Sequence, residues 1–163
     1  MEDTHEGGSE LSDYKYASVT QLTQWMTDRL NENPWSIGFD AIRYNLSISM
    51  LEKLEETKIC VYPLTIDTSA GTRCTTNDID TIAVQIYASV LPSEREKQDQ
   101  YIRLMEEIRD YFFTNTETMP EGCTWQGARI EAVIDLDALS SINLFSSRLG
   151  ILYKCRRETP RAT

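Results

Sequence analysis

A chain of 163 residues with 40% apolar and 26% charged content has the size of one domain and an ordinary globular composition, which excludes a disordered or fibrous chain. Lysine and arginine total 16 against 26 for aspartate and glutamate, and the net charge of −10 excludes a dedicated nucleic-acid binder with an overall basic footprint. No run approaches the roughly 18 consecutive apolar residues of a membrane helix, and the opening residues are acidic and polar, so a cytoplasmic chain without a signal peptide is expected.

Residues 1–16 place Glu2, Asp3, Glu6, Glu10 and Asp13 around Gly7-Gly8 and are predicted to form a flexible acidic arm. Residues 17–156 are expected as a single α+β domain, with 157–163 a polar tail. A first helix opens at Ser18, where Ser18 and Gln21 fit a capping box and Val19, Leu22, Met26 and Leu30 recur at helical spacing. It should stop at Asn33-Pro34, since proline disfavours helical geometry in the residue before it. Residues 39–45 are compatible with a strand, and 51–56 with a short helical turn. Ile59, Cys60, Val61 and Tyr62 make 58–66 a strand, which Pro63 assigns to an edge or marks as ending.

The polar stretch 67–78 is expected as a long loop, mobile or functional, with Arg73 its only cation. Ile82, Val84, Ile86, Ala88 and Val90 then alternate as a half-buried strand. Ser93 and Glu96 fit a second capping box, opening a long helix whose core face is Tyr101, Leu104, Met105, Ile108 and Tyr111 or Phe112. The polar connection 114–124 ends it. Two strands follow, at 125–136 and 148–155, with a turn over 137–147. Strands grouped in runs predict an α+β fold, a mainly antiparallel sheet of about four to five strands with two helices packed on it.

Catalytic chemistry finds no foothold in these residues. The only histidine is His5, in the acidic arm, where a general base cannot be held within reach of its target. Phosphate-loop, dinucleotide and metalloprotease motifs are absent. Cys60, Cys74, Cys123 and Cys155 are widely spaced and read as reduced, largely buried thiols rather than zinc ligands or disulfides. The pairs Asp78/Asp80 and Asp135/Asp137 each share a strand face, a geometry that can hold Mg²⁺ or Ca²⁺. For Asp135 and Asp137 the plainer reading is a solvated polar face, and no metal or cofactor is expected to support the fold. Asn45-Leu46-Ser47 fits a glycosylation sequon by coincidence in a chain without a secretory signal. The basic residues Lys154, Arg156, Arg157 and Arg161 near the end read as a solubilising terminus. Trp25, Trp35 and Trp125 fit interface anchors and core packing equally well.

Several segments together carry a family resemblance: the opening helix, Phe39-Asp40-Ala41-Ile42-Arg43-Tyr44, Leu51-Glu52-Lys53-Leu54, and Lys58-Ile59-Cys60-Val61-Tyr62-Pro63. They continue with the polar stretch around Arg73, the strand 80–90, the long helix, and Phe145-Ser146-Ser147-Arg148 before the last strand. Over residues 19–155 the sequence resembles phage and prophage tail terminator proteins, also called tail completion or neck proteins. The resemblance implies a non-enzymatic virion protein of the tail and neck, assembled in the host cytoplasm. Its copies would form a ring, usually a hexamer, that caps the tail tube protein, halts tube growth and receives the head–tail connector protein. Genome DNA would pass through the ring without specific binding, and the net charge predicts an acidic or neutral lumen with Arg148, Lys154 and Arg156 directed elsewhere. Interface candidates are Arg73, Asp78, Trp125, Phe145 and Arg148. The competing reading is an acidic monomeric binding module, such as an inhibitor of a host nucleic-acid enzyme.

Overall fold

The computed structural model describes residues 17–158, so the acidic arm and residues 159–163 lie outside the described part. Helix α1, Val19–Glu32, starts with the expected capping box: the Ser18 hydroxyl accepts from the Gln21 amide at 3.2 Å, and the Gln21 side chain accepts from the Ser18 amide at 2.8 Å. It ends at Asn33, immediately before Pro34. Strand β1, Asp40–Ile42, and a short helix α2, Ile48–Glu52, precede strand β2, Lys58–Ala70. The helical turn thus falls a few residues before 51–56, because the Ser47 hydroxyl caps it by accepting from the Met50 amide.

β2 turns back into β3, Thr75–Ser89, and helix α3, Arg95–Thr114, leads to β4, Cys123–Ala132. Helix α4, Leu136–Ile142, and strand β5, Leu144–Glu158, complete the described fold. The sheet order is β1-β2-β3-β5-β4, parallel only between β1 and β2. This is the expected α+β class with a mainly antiparallel sheet. The last strand lies between β3 and β4, whose connection through α3 crosses over it.

α1 and α3 cover one sheet face. Leu22, Met26 and Leu30 from α1 and Tyr101, Leu104, Met105, Ile108 and Phe112 from α3 close over Ile59, Val61, Ile82, Val84, Ile86, Leu149, Ile151 and Tyr153. Burial of these side chains stabilises the fold by roughly 1.5–3 kcal/mol each before the entropy of ordering them is counted. The opposite face has a smaller cluster, Cys60, Tyr87 and Leu144, on which Leu46, Leu51 and Leu54 near α2 and Ala138 of α4 pack. Beyond that cluster no described helix covers this face.

Five expectations are corrected. Residues 67–78 are not a loop: 67–70 and 75–78 pair as the outer end of the β2–β3 hairpin, Asp67 opposite Ile79 and Ala70 opposite Thr76. Polar residues on both faces hide this strand from a search for alternation, because no helix covers it. The turn is 71–74, where the Gly71 amide donates to the Thr75 carbonyl at 3.2 Å and a Cβ at Gly71 would meet that oxygen at 2.8 Å. Pro63 does sit on an edge, since β1 flanks only 58–60 of β2, but the strand continues past it through a bulge at Leu64.

α3 begins at Arg95 rather than behind a Ser93 cap, because 91–94 form a turn in which the Glu94 carboxylate accepts from the Leu91 amide at 2.8 Å. β4 ends at Ala132 rather than 136, and Asp135 caps α4 by accepting from the Asp137 and Ala138 amides. Asn143, left-handed at φ 51°, closes that helix, so most of 137–147 is helix and strand rather than turn. Finally, Arg157 belongs to β5 and not to a tail.

Candidate assembly surfaces

The interface candidates do not come together in one place. Arg73 is exposed at the tip of the β2–β3 hairpin. Phe145 is fully buried, its ring centroid 5.3 Å from that of Tyr101 under α3, and offers no surface to another molecule. Asp78 is also inside the subunit, for reasons described next. Trp125 is half-buried at the β4 edge, 4.7 Å from the exposed ring of Phe113, and the two line a shallow groove with Arg109, Asp110 and Ala128. Its indole N–H is buried and meets no acceptor among the described residues. Arg148 is half-buried and paired with Glu131. A hydrogen bond to Tyr62 and the charge of Glu131 hold its guanidinium above the ordinary arginine range.

Asp78 and Asp80 share one strand face, as their spacing requires, but their partner is an arginine and not a metal. Arg157 reaches Asp78 at 2.7 Å and Asp80 at 2.8 Å, and a second guanidinium nitrogen donates to the other Asp80 oxygen. Its Nε donates to the Ala17 carbonyl at 3.2 Å, which ties the last strand to the root of α1. Burial pulls the Arg157 guanidinium down, yet its bonds to Asp80 and Asp78 outweigh this and hold it above the usual range. Among the described residues, no three His, Cys, Asp or Glu side chains stand together in a metal-binding group.

Cys123 and Cys155 lie beside this cluster, directly opposite each other on β4 and β5. The Cys155 thiol donates to the Cys123 sulfur at 2.9 Å. The contact lowers the pKa of Cys123, and together with burial it raises that of Cys155. Cys60 is buried on the other sheet face, where desolvation pushes its thiol up to about 11. Cys74 is exposed at the hairpin turn and the other three are buried, in keeping with the expectation of largely buried thiols.

Most of the exposed large apolar side chains were not among the sequence candidates. α2 has no buried residue, and Tyr44, Ile48 and Met50 around it are exposed, as are Val133, Leu136 and Ile142 around α4. These are six of the nine exposed large hydrophobic residues in the described fold. An apolar groove lined by Leu46, Met50 and Leu54 opens on the same side, with Lys53, Lys58, Glu55 and Glu56 at its margins. The sequence signal was a short helical turn in which Leu51 packs on the small cluster while Ile48 and Met50 stay exposed.

Among the described residues, no helix is long and apolar enough to cross a membrane. The chain matches no known family model, and no curated protein is similar to it at a significant level.

Proposed function

We propose that the protein is a structural subunit of a phage tail, a terminator whose copies close into a ring on the tail tube, stop its growth and join it to the head connector. The observation that supports this reading is the gathering of exposed apolar side chains on α2 and α4. Both segments lean on one small cluster, so Tyr44, Ile48 and Met50 stand on the same side of the sheet as Leu136 and Ile142. Apolar side chains gathered in this way mark a surface that another protein covers. If α2 of one copy meets α4 of the next, the contact is head-to-tail, and such contacts generate rings when the rotation closes. Arg148, Lys154 and Arg156 alternate onto the sheet face opposite α1 and α3, so a ring that turns this face from its lumen keeps these cations off the passing duplex.

The test is complementation of a phage lacking the protein, imaged by electron microscopy, with wild type, Ile48→Asp and Leu136→Asp. The expected result is joined tails of defined length with wild type, and overlong or unjoined tails with either variant or with none. Normal joined tails in the absence of the protein would overturn the reading. Together with a chain that stays monomeric on tube ends, they would favour the acidic binding module instead.

A further inference from the structure

Cys123 and Cys155 take no part in the proposed assembly, yet their placement is chemically specific. They sit directly opposite each other on β4 and β5, and the Cys155 thiol donates to the Cys123 sulfur at 2.9 Å. Residues paired across antiparallel strands hold their Cα atoms about 4.5–5.5 Å apart, inside the range of about 4.4–6.8 Å that a disulfide requires, so the sulfurs need move less than about 1 Å to bond. Their access differs. Cys123 opens the edge strand β4 and is 8% exposed, whereas Cys155 is 0% exposed, flanked by Cys123 on β4 and by Asp78 on β3. A water-sized reagent therefore meets Cys123 first. Cys60 is buried on the opposite sheet face and Cys74 is exposed at the hairpin turn, so neither shares this arrangement.

We infer that Cys123 and Cys155 form a peroxide-reactive pair, in which Cys123 is the attacking thiol and Cys155 the resolving one. The first step needs Cys123 as its thiolate, which the donating Cys155 thiol and the charge of Arg157 favour, while burial and Asp80 oppose it. The Cys123 sulfur attacks one oxygen of hydrogen peroxide, and the S–O bond forms as the O–O bond breaks. The departing hydroxide takes up the proton that Cys123 gave to solvent and leaves as water. Cys155, on losing its own proton, then attacks the sulfenic sulfur of Cys123, and the S–S bond forms as the S–O bond breaks. The second hydroxide leaves as water with that proton. Two thiols are oxidised, and one peroxide is reduced to two waters. The product staples the start of β4 to β5, where the Arg156 amide donates to the Gly122 carbonyl at 2.9 Å, and it spares Cys123 from the irreversible sulfinic state. This chemistry does not depend on ring formation.

The test treats the full chain carrying Cys74→Ser, which removes the exposed thiol, with hydrogen peroxide and maps its non-reduced peptides by mass spectrometry. Parallel samples contain dimedone, which traps sulfenic acid. The expected product is a 123–155 bond that dithiothreitol reverses, with Cys60 still free. When Cys155→Ala is added, dimedone should label Cys123 about tenfold more than it labels Cys155 when Cys123→Ala is added instead. Equal labelling, or stronger labelling of Cys155, would overturn the order of attack, and absence of the 123–155 bond would overturn the pair. If either alanine variant fails to fold, the dimedone adducts of the Cys74→Ser protein itself decide, at Cys123 as expected or at Cys155 against it.

Discussion

Asp80 and Arg157, 77 residues apart in the chain, meet inside the fold with both carboxylate oxygens engaged by guanidinium nitrogens. Asp80 is fully buried, so removal of its partner strands a charge away from water. Arg157→Leu is expected to lower stability by about 3–5 kcal/mol, read by denaturant unfolding. The double variant Asp80→Leu with Arg157→Leu should lose less than Arg157→Leu alone, because no unpaired Asp80 carboxylate remains. Equal losses in the two would show that the fork does not carry the effect.

The hairpin tip separates assembly from stability. Arg73 is exposed on a turn held by backbone contacts between Gly71 and Thr75, so Arg73→Glu should leave the unfolding free energy of the isolated subunit within about 0.5 kcal/mol of wild type. If copies close into the proposed ring, the same substitution is expected to weaken it, since an arginine at the tip can pair with a neighbour's carboxylate. Complementation with unchanged tail joining would exclude an interface role for Arg73.

Alkaline stability provides a third measurement. The folded-state pKa of Cys60 is raised to about 11 by burial, above the ordinary thiol value near 8.5–9. As pH rises through that interval the unfolded chain releases the proton first, so the unfolded state binds fewer protons and stability falls with increasing pH. The contribution is fully present below about pH 8.5 and is lost progressively toward pH 11. Thermal midpoints measured from pH 8 to 10 should therefore decline less steeply in Cys60→Ala than in wild type. Parallel declines would assign the slope to other groups.

Thiol oxidation is expected to be selective. Cys123 and Cys155 sit opposite each other with sulfurs 2.9 Å apart, while the described fold keeps Cys60 on the other sheet face and Cys74 at the hairpin turn. Treatment with diamide, which accepts the two thiol hydrogens, should give an intramolecular 123–155 bond in non-reducing peptide maps. A map dominated by Cys74 joined between copies would show that exposure outweighs proximity.

Wherever burial imposes a period, the sequence was readable. Val19, Leu22, Met26 and Leu30 placed α1, Tyr101 to Phe112 placed the inner face of α3, and Ile82 to Val90 placed the centre of β3, because each set covers one side of a shared core. The hairpin end was not readable, since 67–70 and 75–78 are held by backbone pairing with polar side chains on both faces. Short helices α2 and α4 depended on single capping side chains, Ser47 and Asp135, that leave little periodic trace. The pairing of Arg157 with Asp78 and Asp80 is a contact between distant residues, invisible to any local pattern. Phe145 looked like an interface aromatic because its place between β3 and β4 depends on sheet order, which spacing alone does not give.

The central position of the last strand also sets the timing of synthesis. β5 pairs along its length with β3, from Leu144 against Ser89 to Glu158 against Thr75. Until those residues leave the ribosome, β3 and β4 each present an unpaired edge, and the helices have only part of a sheet to pack on. Completion of the fold therefore waits for β5, and nascent chains stalled before residue 144 are the species most exposed to aggregation and to capture by chaperones.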